Sequence, residues 1–186
     1  MARPVRRRTP VLLASAVGVV VLAGCGGGGA DQASPFPERP VSINVDLIDP
    51  CSTLSDEQRR TLGLSQGQSP EYTLTPAPSR GCAWSDFTTG YNFTVQTLPL
   101  SAEESVGAEG TRLTEVSGFG AVEATSLHDT TPICQLVIDA DEARSIRVQA
   151  QSVLYGDDGR PRDSDLICPR AAEVARAVLH SVTAQA

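Results

Sequence analysis

Residues 133–151, ICQLVIDADEARSIRVQAQ, decide the fold. Ile133 to Ile138 is an apolar run of strand length, and Ser145 to Gln151 alternates strictly, with Ile146, Val148 and Ala150 on one side and Arg147, Gln149 and Gln151 on the other. Successive side chains of a strand point to opposite faces, so the second segment describes an antiparallel strand buried on one face and solvated on the other. The acidic stretch Asp139 to Ala143 between them predicts the turn of a hairpin.

Outward from this pair the same periods continue. Cys82–Phe87 and Tyr91–Gln96 flank Thr88-Thr89-Gly90 and predict a second hairpin, with Cys82 and Trp84 sharing one face of the first strand and Tyr91, Phe93 and Val95 one face of the second. Ala121–Leu127 reads as a further strand, and Ser101–Leu113 as a polar helix or loop. A terminal helix from about Asp165 carries Ala171, Val174, Ala175, Val178, Leu179 and Val182 on one stripe, and Pro169 fits only in its first turn. Near the front of the domain, Ser55 and Gln58 have the spacing of a capping box for a short helix that Gly63 stops. Gly67, Pro70, Pro76 and Pro78 make Ser65–Arg80 a loop. The expected class is α+β: an antiparallel sheet of four to six strands, packed by a short N-terminal helix and an amphipathic C-terminal helix.

The first 24 residues read as a lipoprotein signal peptide. Arg3, Arg6, Arg7 and Arg8 precede an apolar run from Val11 to Ala23, which falls short of the ~20 residues of a permanent transmembrane helix. Leu22-Ala23-Gly24-Cys25 resembles the lipobox of bacterial lipoproteins, in which the chain is cut before a cysteine bearing diacylglyceryl and palmitate-type chains. The resemblance implies lipidation at Cys25 and a place on the extracytoplasmic face of the cell membrane. Residues 25–40, with four consecutive glycines, then Pro35, Pro37 and Pro40, read as a flexible tether, and 41–186 as a single globular domain.

The chain of 186 residues has 15 basic and 22 acidic side chains, and every basic one is arginine. Without lysine there is no Schiff-base, P-loop or Ser-Lys chemistry. Past residue 24 the basic count falls to 11 against the same 22 acids. Nucleic acid is excluded as a partner on this balance, because phosphate neutralisation needs a basic face. Membrane attachment then rests on the acyl chains.

With Cys25 assigned to lipid, Cys51, Cys82, Cys134 and Cys168 remain, an even number in an oxidising compartment. Three connectivities are open. The preferred one joins Cys51 to Cys82 and Cys134 to Cys168, each linking the base of a helix to a core-facing strand position, and is valued at about 3 to 4 kcal/mol per bridge. The cysteines lack the close pairing of a zinc site, so no metal and no cofactor are expected.

Asp49-Pro50-Cys51, then a short helix, then Cys82-Ala83-Trp84 resembles an actinobacterial lipoprotein family of unknown function with an Asp-Pro-Cys start and a Cys-x-Trp motif. The likeness runs from Asp49 to about Val182, with polar Thr53 where that family is usually apolar. It implies a compact α+β domain, no established activity, and a structural role for Trp84 as a core aromatic against the sulfurs.

His128 stands beside Asp129, but neighbours on an extended segment point opposite ways. His180 suits a helix C-terminus, where positive charge is favoured. Asp157, Asp158, Asp163 and Asp165 crowd a short segment without the residue order of a calcium loop. Asn92-Phe93-Thr94 matches a glycosylation sequon inside a strand. The expected function is therefore a non-catalytic binding or accessory module of the envelope, with an envelope protein, a glycan or a small molecule as ligand. An envelope hydrolase with an unrecognised site and a purely structural component are the alternatives.

Substituting Cys25→Ser is expected to move the exported protein from the membrane fraction to the soluble one. Fractionation with mass analysis of the N-terminus checks this, and a processed mutant that stays in washed membranes contradicts it.

Overall fold

The computed structural model describes residues 33–69, 79–128, 131–155, 157 and 164–186. Within them the period-two segments become β1 (Arg80–Asp86), β2 (Tyr91–Leu98), β3 (Thr111–Val116), β4 (Phe119–His128), β5 (Thr131–Asp141) and β6 (Arg144–Ser152). They form one antiparallel sheet in the order β1-β2-β6-β5-β4-β3. At its centre Leu136 lies opposite Val148, Ile138 opposite Ile146, and Val95 of β2 opposite Val148. One face thus becomes continuous hydrocarbon, with Cys82, Trp84, Phe93, Val95, Leu136, Ile138, Ile146 and Val148 buried.

That face is covered by two helices, α1 (Asp56–Leu62) and α2 (Ile167–Thr183), and by the 3₁₀ turns ahead of α1. α1 begins at the capping box of Ser55 and Gln58 and ends at Gly63, whose φ of 73° permits the left-handed cap. Gln58 also reaches α2, donating from Nε2 to the Ala177 carbonyl at 3.1 Å. All six residues of the expected stripe on α2 are buried. Two disulfides, Cys51–Cys82 and Cys134–Cys168, have Cα separations of 5.0 and 5.2 Å. Each joins a segment at a helix start to the buried face of a strand, in the preferred connectivity. Asp49 caps the turn Pro50–Ser52 by accepting from the Cys51 amide at 3.1 Å and from Ser52 Oγ at 2.8 Å, which holds Cys51 over β1. Thr53 is buried, with its hydroxyl satisfied by the Pro50 carbonyl at 2.7 Å.

Three boundaries differ from the sequence reading. β3 replaces part of the expected polar helix or loop: its residues are mostly polar on both faces because it is an edge strand, so alternation fails as a signal there. Ala102–Ser105 is a short 3₁₀ turn. β5 runs on to Asp141, so Asp139 is not in the turn but buried in the sheet, where Arg39 meets it with Nη2–Oδ1 at 2.9 Å and Nε–Oδ2 at 2.8 Å. The hydrogen bonding to Asp139 raises the Arg39 pKa against the opposing effect of burial. Residues ahead of Val41 also pack with the compact unit Ala33–Ala186. Phe36 is buried against Gly120, and Pro40 lies over Gly118. Composition marked this segment as tether because prolines dominate it, yet prolines restrict the chain without preventing it from packing.

Asp86 closes the β1–β2 hairpin. Its carboxylate accepts from the amides of Thr88 at 2.9 Å and Thr89 at 3.1 Å and from the Thr89 hydroxyl, and Arg170 of α2 approaches it at 3.1 Å. Burial alone would push its pKa up, but the Thr89 and Thr88 bonds and the charge of Arg170 outweigh it and hold the carboxyl below the ordinary 3.8. A depressed folded pKa contributes stability that is present above the unfolded value and lost as pH falls through the folded one. Asp86→Asn is therefore expected to cost about 2 kcal/mol near neutrality. In denaturant titrations the gap from wild type should shrink below about pH 4, and a gap independent of pH would contradict the assignment.

Candidate binding face

The alternation that buries one face of the sheet leaves only part of the other accessible, since Gln96, Leu98, Ile133, Val137, Asp139 and Ser145 on that second side are buried as well. The half-buried polar side chains on that side of β2, β6 and β5 include Asn92, Thr94, Gln135, Arg147, Gln149 and Gln151, and the register places Thr94 opposite Gln149, Gln149 opposite Gln135, and Asn92 opposite Gln151, with Ile133 also opposite Gln151. Paired strands lie about 4.8 Å apart, and same-face neighbours along a strand about 6.7 Å. Asn92, Thr94, Gln135, Gln149 and Gln151 therefore occupy adjacent points of one lattice. All five are half-buried, and none forms a side-chain hydrogen bond to another described residue. Ala83 opposes Thr94 on one side and Ala124 opposes Gln135 on the other, so the amide row is flanked by small side chains.

Charge is nearly absent from this lattice. Among the described residues of β2, β6 and β5 the ionised side chains on this side are Asp139, buried under Arg39, and Arg147, whose Nε (2.7 Å) and Nη2 both donate to the side-chain amide oxygen of Gln96. At one end the face is walled by a small apolar cluster of Phe36, Leu98, Ala102, Val122 and Val137. The wall exists because Gly120 has no side chain: a Cβ there would lie 2.5 Å from Phe36 Cβ. At the other end, Thr131 Oγ1 and the Tyr155 phenol are 2.9 Å apart, which brings an aromatic ring to the margin.

The residues singled out in the sequence are distributed elsewhere. Trp84 is buried, and Gly67 packs so closely that a Cβ there would lie 2.8 Å from both Cys82 Sγ and Trp84 Nε1. That places the ring and the disulfide side by side. Cys134 and Cys168 lie near Glu123 in a constellation of metal-ligand type, but the sulfurs are bonded to each other and Glu123 pairs with Arg112 at 2.9 Å. His180 is exposed in the last turn of α2, beside an open groove of about 470 Å³ lined by Pro40, Val41, Ser117, Phe119 and Leu179. His128 ends β4. Asp129, Asp158 and Asp163, and Cys25 with most of the expected tether, lie outside the described residues. Asn92-Phe93-Thr94 sits inside β2, with Phe93 in the core.

Sequence reasoning recognised Arg147, Gln149 and Gln151 as outward-facing but gave them no role. The missed signal is their chemistry: outward positions of the central strands hold amides and hydroxyls where an acidic, arginine-bearing protein has charges to spare.

The profile of a family described as protein of unknown function (DUF3558) matches residues 20–181. No curated protein and no solved structure matches the chain.

Replacing Gly120 by alanine is expected to drive Phe36 out and open the wall, at about 2 kcal/mol for re-exposing a phenylalanine. Limited proteolysis with a glutamate-specific protease should then cut after Glu38 faster than in wild type. Equal cleavage rates would mean that the segment is held by other contacts.

Proposed function

The chain belongs to the DUF3558 family, and on that footing we propose that it is an exported lipoprotein, anchored through Cys25 on the extracytoplasmic face of the membrane, that works as a non-catalytic binding module. The observation that carries the binding role is the lattice of Asn92, Thr94, Gln135, Gln149 and Gln151, whose donors and acceptors have no partner among the described residues. Their polar atoms stay open to water instead of being sealed in the fold, so a ligand can exchange those water contacts for direct hydrogen bonds across several neighbouring side chains at once.

The anchoring half of the reading is supported by the basic, apolar and small-residue order that ends in Leu22-Ala23-Gly24-Cys25. The family match begins at residue 20 and so includes Leu22-Ala23-Gly24-Cys25. The two disulfides agree with an oxidising compartment. Tethered at its N-terminus, a binding domain samples only the layer next to the membrane, which raises its effective concentration for anything fixed there.

The test is binding of the full-length protein, held in detergent, to washed insoluble envelope material. Wild type should bind saturably. The double variant Gln135→Glu/Gln149→Glu, which changes only outward side chains, should weaken binding at least tenfold while both disulfides remain intact. Equal binding by the two proteins would overturn the assignment of the face.

A further inference from the structure

Taking that face as the binding site, we propose that its ligand is a neutral polysaccharide, laid across β2, β6 and β5. The inference starts from which ligands the lattice would reject. An anionic polymer needs cations, and the only one on the lattice, Arg147, already has its guanidinium on Gln96, in a domain with twice as many acids as bases past residue 24. A basic peptide needs carboxylates along its path, and among the described residues the carboxylate that β2, β6 and β5 present on this side within their register, Asp139, is buried under Arg39, while exposed Glu115 stands off at the edge strand β3. An apolar ligand would cover five amides and hydroxyls without satisfying them, at a cost that rises with each one.

A sugar hydroxyl is both donor and acceptor, and so is each carboxamide. Gln149 and Gln135 stand directly opposite one another, as do Asn92 and Gln151, so each pair offers two amides to neighbouring hydroxyls of one ring. Among the described residues the row is flanked by the small side chains of Ala83 and Ala124, with Gln68 bridged beyond Ala83. A chain can therefore cross the face, whereas a closed pocket would accept only a chain end. Tyr155, 39% exposed at the margin, offers a ring to the apolar side of a sugar. The Phe36 wall limits the ligand on the opposite side.

The experiment titrates the full-length protein in detergent with dextran, mannan and galactan, and in parallel with polyphosphate, polyglutamate and a polyarginine peptide, by calorimetry. Saturable binding of at least one neutral polysaccharide, unchanged by raising the ionic strength, is the expected result, because no ion pair is involved. Gln135→Ala/Gln149→Ala should weaken it about tenfold, as the loss of two modest hydrogen bonds implies. Asn92→Ala, at a separate outward position, should weaken it by a smaller factor. Binding of a charged polymer, lost in the Gln135/Gln149 variant while no neutral one binds, would overturn the glycan assignment and keep the face. No binding of any polymer, with envelope binding still lost in that variant, would also overturn the glycan assignment alone. Polysaccharide binding untouched by all these substitutions would overturn the face itself.

Discussion

A sheet with one hydrophobic face must be covered, and here the cover is held on by covalent bonds. α2 is the only long helix among the described residues, and it lies over the β5–β6 side of the sheet. The β1–β2 side is roofed by the 3₁₀ turns that lead into the short helix α1, short pieces that bury little surface of their own and could not form in isolation. Each roof is tied to its part of the sheet by one disulfide, Cys134–Cys168 for the long helix and Cys51–Cys82 for the irregular segment. Closing these loops removes chain entropy from the unfolded state. With the roof fixed, Trp84, Phe93 and Ile146 can be fully enclosed in a domain of modest size.

The buried half of this arrangement was legible in the sequence because hydrophobic alternation and the helical stripe are direct records of which side faces the core. Ile146, Val148 and Ala150 on β6, and Ala171 to Val182 on α2, lie where their periods place them. The capping box and its glycine stop were equally readable, being local backbone chemistry. What escaped detection depends on distant partners. Asp139 resembles a turn residue until Arg39, a hundred residues away, is seen to neutralise it. Phe36 resembles part of a linker until Gly120 is seen to make room for it. β3 carries little alternation because, as an edge strand, it has few neighbours to demand one.

The polar lattice was legible only in part: Gln149 and Gln151 read as solvent-facing from the alternation of β6, whereas Gln135, inside an apolar run, and Asn92 and Thr94 carry no such reading. Solvent-facing is the ordinary fate of such positions, and only their grouping sets these apart. Grouping across strands requires the register, in which Gln149 faces Gln135 from one neighbour and Thr94 from the other. A single sequence does not contain that information. The same register keeps the acids away: the carboxylates of Asp86 and Asp139, both within the sheet, are spent on Arg170 and Arg39.

The Cys51–Cys82 bridge also defines how the domain would bear tension. A pull applied at Ala33 runs first through the packed segment that holds Phe36, Arg39 and Ile43, the last donating its amide to the Ala140 carbonyl at 3.1 Å. Beyond it the force reaches Cys51 and passes through sulfur directly into β1, bypassing the stretch from 52 to 81. The part of the chain that can lengthen ahead of that bridge is therefore limited to residues 33–50. Those residues form a small mechanical fuse, which yields before the sheet carrying the amide lattice is loaded strand against strand.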